Sequence, residues 1–119
     1  MRRAWVFVMM MGLLPTLAFG QTGWGRIMQG GPFGEFRGND WDTFRNTVTQ
    51  AAERTSNGQI LTWANPKTAA HGDVKVIKQY ERPDLGECRD LTGQVSARGR
   101  TGPFQITLCR KPGGTWMLA

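Results

Sequence analysis

The sequence predicts an α+β domain: one N-terminal amphipathic helix packed on a four- to five-stranded antiparallel meander sheet, closed by one disulfide. Three observations predict it. An apolar stripe at helical spacing begins near Asp40, a two-residue alternation cut by turn residues follows Gly58, and the two cysteines, Cys88 and Cys109, both lie downstream of a secretion-type N-terminus.

Residues 1 to 20 read as a signal peptide. Arg2-Arg3 precede an uncharged run from Ala4 to Leu14, and Ala18-Phe19-Gly20 supplies a small-residue cleavage pattern ahead of Gln21. A transmembrane helix needs about 20 apolar residues, and Gly12 and Pro15 interrupt this stretch, so cleavage is expected rather than retention as an uncleaved anchor. No cysteine lies near the expected cut, which removes the acylation site of a lipoprotein.

Cleavage leaves roughly 99 of the 119 residues. A domain of that size buries only a little more than about 60% of its unfolded surface, so a covalent staple matters. In an oxidising compartment two cysteines allow one intramolecular bridge. Joining Cys88 to Cys109 closes a loop of about 22 residues, for which chain entropy gives roughly 3.4 kcal/mol before strain. Two cysteines without a CxxC pattern or clustered histidines do not complete a tetrahedral zinc site.

The formal charge of +6 falls to +4 once Arg2 and Arg3 are removed. A basic balance favours anionic partners such as lipid head groups or cell-wall polymers, although scattered charges are more often plain solvated surface. Arg98 and Arg100 are the close basic pair at an expected loop tip, and they are the candidate anion-binding residues.

Residues 21 to 39 are rich in glycine, with Trp24, Ile27, Met28, Phe33 and Phe36 scattered among them. Each glycine costs a helix about 1 kcal/mol against alanine, so this segment is expected to be a flexible leader without regular structure. The domain proper is expected over residues 40 to 119. Trp41, Phe44, Val48, Ala51, Ala52 and Thr55 share one helical face, while Asp42, Arg45, Asn46, Gln50, Glu53 and Arg54 point elsewhere. Asp40 or Asp42 is the expected N-terminal cap, and Asn57-Gly58 the left-handed stop.

Five strands follow. Gln59 to Ala64 ends at Asn65-Pro66; Asp73 to Tyr80 carries Val74, Val76 and Tyr80 on one face and Ile77 on the other. Cys88 to Ala97, Phe104 to Arg110 and a short Thr115 to Leu118 complete the meander. If Cys88 faces Cys109, then Asp90 faces Thr107 and Thr92 faces Gln105 on the same side, while Leu91 faces Ile106 and Gly93 faces Phe104 on the other. A one-residue slip would mix polar and apolar faces, so disulfide and hydrophobic pattern support one register. The bridge is then on the polar side, and the helix covers the side of Leu91, Phe104, Ile106 and Leu108.

No residue cluster announces a reaction. His71 is the one histidine, and a base oriented by Asp73 would still need a nucleophile; Ser56 and Ser96 have no elbow motif, so a turn histidine is the favoured reading. Asp84, Glu87 and Asp90 lie near Arg82 and Arg89, which favours surface ion pairs. Phosphate-binding glycine loops are missing. The sequence thus assigns no catalytic residue, no metal, no cofactor and no nucleic-acid partner. Trp63 and Trp116 stand beside turns in expected strands and read as core, with sugar stacking as the alternative.

The order Trp63-Ala64-Asn65-Pro66-Lys67-Thr68, Gly72-Asp73-Val74, Cys88-Arg89, Cys109-Arg110 and Gly114-Thr115-Trp116 resembles the C-terminal domain of the 17 kDa outer-membrane surface antigen family of bacterial envelope proteins. The resemblance covers about residues 36 to 118. Its motif positions here are Trp63, Asn65, Pro66, Gly72, Arg89, Arg110 and Trp116. It implies a small exported domain without an assigned catalytic activity. Relatives often carry a lipid-modified cysteine and a glycine-zipper segment; this chain has neither a lipobox cysteine nor a regular GxxxG run, and Ala69 stands where the pattern has glycine. The expectation is a non-enzymatic binding or structural module of the periplasm, outer membrane or cell surface, with anionic envelope components or an envelope protein as partner and peripheral membrane association. The alternative is a secreted enzyme or inhibitor acting on envelope polymers.

Overall fold

A computed structural model describes residues 31–119. The expected signal peptide over residues 1 to 20, and the leader as far as residue 30, lie outside the described residues. A 3-10 helix, Gly31–Glu35, leads into helix α1, Asp40–Arg54, and then into strands β1 (Ile60–Ala64), β2 (His71–Arg82), β3 (Gly86–Ala97), β4 (Arg100–Arg110) and β5 (Met117–Leu118). The strands form one antiparallel sheet in the order β1-β2-β3-β4-β5, the meander expected from short connections. No helix among the described residues is long and apolar enough to cross a membrane.

The β3–β4 register is the one expected. Cys88 pairs with Cys109, Leu91 with Ile106 and Gly93 with Phe104, and Cys88 and Cys109 are disulfide-bonded. Leu91, Phe104, Ile106 and Leu108 turn to one face, which α1 and the 3-10 helix cover. Phe44, Val48 and Ala51 fill the space between helix and sheet and are fully buried. Burying a side chain such as Phe44 contributes about 2 to 3 kcal/mol.

Three expectations need correction. The leader was expected to hold no helix, yet Gly31–Glu35 forms a 3-10 turn with Pro32 and Phe33 buried. A 3-10 turn requires only a few residues, so glycine's entropic cost is small beside the aromatic surface removed from water. Phe33 packs edge-on against Phe44 and Phe104, with ring centroids 5.3 and 6.1 Å away. Phe36 meets Trp41 at 5.2 Å and Trp63 at 5.9 Å.

The helix ends are also built differently. Asn39 occupies the N-cap position without a side-chain bond to the helix N–H groups, while the Asp40 carboxylate turns away from the N–H groups that follow it. Asp42 instead pairs with Arg45 at 2.7 Å. The helix stops at Arg54 with Thr55 extended (φ −103°, ψ 154°), and the Thr55 hydroxyl donates to the Ala51 carbonyl at 2.7 Å. Gly58 does adopt a positive φ of 85°, but in the turn beyond, where its N–H donates to the Val76 carbonyl.

Tyr80 is the third correction. The β2–β3 register shifts between Val76, opposite Leu91, and Lys78, opposite Asp90. That leaves Ile77 unpaired and moves Lys78 and Tyr80 to the face opposite Val74 and Val76. The side chain exchanges a place under the helix for a hydrogen bond from its hydroxyl to Asp90, at 2.7 Å.

Candidate functional site

The motif residues gather into two clusters, one at each end of α1. At the N-terminal end the β1–β2 turn rises to meet the helix. Asp40 is 1% exposed, and its Oδ1 accepts bonds from the Asn65 amide at 2.7 Å and the Thr68 hydroxyl at 2.6 Å. Its Oδ2 accepts the Arg37 backbone N–H at 2.8 Å. Burial pushes the carboxyl pKa up, but the bonds from Thr68, the Arg37 N–H and Asn65 outweigh it and hold the group below its ordinary value. Asn65 also donates to Asn39 Oδ1 at 2.8 Å and accepts the Lys67 N–H at 3.1 Å through its own Oδ1. The same turn puts Ala69 in the left-handed region at φ 68°.

Trp63 and Gly72 lie opposite each other at the base of this turn. A Cβ at Gly72 would stand 2.4 Å from the Gln94 carbonyl oxygen and 2.9 Å from Trp63 Nε1, so only glycine lets the indole and the neighbouring strand approach. Trp63 is core, as its position beside a turn suggested; its buried Nε1 has no hydrogen-bond partner.

At the C-terminal end the two Cys-Arg pairs and Trp116 converge. Arg110 donates through Nε to Glu87 at 3.0 Å and through Nη1 to Glu53 of α1 at 2.8 Å. Arg89 Nη2 donates to Glu87 at 2.8 Å. The Trp116 ring faces both guanidinium groups, 4.5 Å from Arg110 and 5.2 Å from Arg89, and its Nε1 donates to Glu53 at 2.9 Å. The bonds from Arg110, then those from Arg89, depress the Glu87 pKa, and Glu87 in turn raises that of Arg110.

Arg98 is the first residue of the two-residue β3–β4 turn and Arg100 the first residue of β4; Arg98 (φ 50°) and Gly99 (φ 79°) both take positive φ. The Nε atoms of Arg98 and Arg100 lie 3.9 Å from the carboxylate oxygens of Glu35, one on each. A carboxylate of the 3-10 helix thus already sits against the pair. Both side chains stay at least half exposed, with their Nη donors outside these contacts.

The other face of the sheet has no described element over it. Its centre is a bonded network in which Asp90 Oδ1 accepts from the Tyr80 hydroxyl at 2.7 Å and the Thr107 hydroxyl at 2.8 Å; the Asp90 bond and burial raise the Tyr80 pKa. Toward the β3–β4 turn this face forms a depression of about 600 Å³ lined by residues that include His71, Asp73 and Ser96. His71 pairs with Ser96 across the strands, but no bond joins them. His71 Nδ1 lies 3.1 Å from the Ala69 carbonyl, Ser96 bonds Thr101, and Asp73 accepts the Gln94 N–H at 3.0 Å. The suspected carboxylates are committed too: Asp84 to Arg82 at 3.3 Å, and Glu87 to two arginines. No group of three or more metal-ligating side chains occurs among the described residues.

Sequence reasoning missed Asp40 as the hub of the first cluster and Glu53 as the helix's contribution to the second. An acidic residue opening a helix signals a cap, and an exposed-face glutamate signals solvent; the side-chain partners lie 25 or more residues away.

A family model described as 17 kDa outer membrane surface antigen matches residues 50–117. The curated "17 kDa surface antigen" of Rickettsia felis (strain ATCC VR-1525 / URRWXCal2) is 32% identical over 72 residues, which is 60% of this chain and 45% of that protein. The match therefore spans less than half of the relative's length. No solved structure matches.

Proposed function

Because this chain belongs to the 17 kDa outer membrane surface antigen family, we propose that it is an exported cell-envelope protein whose domain acts as a non-enzymatic binding or structural module. One observation carries the reading. Asn65, Arg110 and Trp116 fasten helix to sheet, Gly72 lets Trp63 and the neighbouring strand approach, and Arg89 braces Glu87 and the Trp116 ring. The shared signature therefore describes a scaffold, and contacts with the envelope fall to surfaces outside it. The proposed location is the periplasm or the outer-membrane surface after signal cleavage, with peripheral rather than spanning membrane association.

The contact proposed for anionic envelope components is the Arg98/Arg100 tip, whose Nη donors are free to bracket a phosphate or carboxylate. Glu35 lowers its net charge, so binding there is modest and salt-sensitive. Cosedimentation with phosphatidylglycerol vesicles tests it. Binding should fall with salt and be lost in an Arg98→Ala/Arg100→Ala double variant; unchanged binding by that variant rejects the contact. The alternative, an enzyme or inhibitor acting on envelope polymers, calls for two groups positioned on one substrate. His71, Ser96 and Asp73 share a groove, yet each is bonded to a different partner.

A further inference from the structure

We propose that the groove on the sheet face that no described element covers binds a neutral sugar chain. Thr62, His71, Asp73, Gln94, Ser96 and Thr101 line it, and the strand registers put all six side chains on the same face. Its volume of about 600 Å³ lies within the range of roughly 300 to 1,000 Å³ typical of small-ligand sites. An open sheet face lets an extended chain lie across it.

The polar groups are held in place before any ligand arrives. Asp73 Oδ1 accepts the Gln94 N–H at 3.0 Å, which fixes the carboxylate and leaves Oδ2 as a free acceptor. The Ser96 and Thr101 hydroxyls are bonded to each other across β3 and β4. His71 Nδ1 faces the Ala69 carbonyl at 3.1 Å, and Nε2 lies outside that contact. Among the described residues, the Thr62 hydroxyl and the Gln94 amide, which both donate and accept, have no side-chain partner. An acceptor set beside groups that donate and accept matches the hydroxyls of a sugar, each of which does both.

Charge selects among hydroxylated ligands. Asp73 is the charged lining residue, and no lysine or arginine is among the lining residues. A phosphate or uronate would meet a carboxylate with no lining Lys or Arg to offset it, so the groove favours uncharged sugars. Ala64 and Gly72 add small apolar floor where a ring can approach the backbone. Trp63 is buried and offers no exposed ring for stacking, so hydrogen bonds dominate and affinity is modest.

This proposal deepens the binding-module reading and rests on it, but it uses residues apart from Arg98 and Arg100, so the two fail separately. Amide NMR spectra of the full oxidised chain are titrated with a neutral glucose tetramer, a neutral N-acetylglucosamine tetramer and a galacturonate tetramer. At least one neutral tetramer should shift the amides of residues 71–73 and 94–96 saturably, with the galacturonate inert. A Thr62→Ala/Gln94→Ala variant, changed only in side chains with no internal bond, should keep its spectrum and bind about tenfold or more weakly. The proposal is overturned if neither neutral tetramer moves those amides, if galacturonate binds as well, or if the double variant binds like the parent.

Discussion

At its N-terminal end α1 is tied to the sheet through a carboxylate that is 1% exposed and bonded by Asn65, Thr68 and the Arg37 N–H. At its C-terminal end it is tied through Glu53, Arg110 and Trp116, side chains that remain partly open to water. The two ends face opposite problems. A buried charge is tolerable only when its acceptor sites are filled, because an unfilled one keeps its full desolvation penalty. A half-exposed ion pair starts with little penalty and gains little, since water and salt screen it. The N-terminal cluster should therefore be strong and intolerant of substitution, and the C-terminal cluster weak singly and dependent on its network.

The largest test of that contrast is Asn65→Ala. It removes one of Asp40's three donors and leaves a buried charge short, and should lower unfolding free energy by about 3 kcal/mol in urea titration. A loss under about 1 kcal/mol would place the two ends on a par. Acid sharpens the same point. The folded-state pKa of Asp40 is depressed below 3.8, so its contribution is full above that value and is lost as pH falls through the depressed one. Unfolding free energy followed downward from pH 5 should drop more gently in Asp40→Asn than in the parent; parallel slopes would remove Asp40 from the acid response.

Arg110→Ala probes the other end, with an expected loss of about 1 kcal/mol at low salt. It strips Glu53 and Glu87 of a shared partner and uncovers one face of Trp116, so indole fluorescence should change with it. A loss equal to that of Asn65→Ala would break the contrast. The smallest effect is a gain. Ala69→Gly relieves a left-handed alanine at φ 68° in the turn beside the first cluster, against the extra entropy of an unfolded glycine. A net gain of about 0.5 kcal/mol is expected in thermal melts, and a loss would mean that the turn does not strain alanine.

Local pattern explains what could be read in advance. The helix span and the β3–β4 register were legible because apolar spacing and the cysteine pair restrict them independently, and a slip would bury Asp90 or expose Leu91. The Ile77 shift was not legible: Val76, Ile77 and Lys78 read as ordinary alternation, and the Tyr80–Asp90 bond that rewards the shift joins two strands. Phe33 and Phe36 looked like isolated aromatics because their partners Phe44, Trp63 and Phe104 come later in the chain. The motif residues were visible by resemblance, but their convergence on Asp40 and Glu53 is tertiary.

The most direct measurement is a pair of double-mutant cycles by urea unfolding, Asp40→Asn with Asn65→Ala and Glu53→Gln with Arg110→Ala, at low salt and in about 1 M NaCl, where the Debye length is about 3 Å. The account predicts a coupling of about 2 kcal/mol for the first pair that salt leaves unchanged, and of less than about 1 kcal/mol for the second that salt removes. Equal couplings, or a first coupling erased by salt, would contradict it.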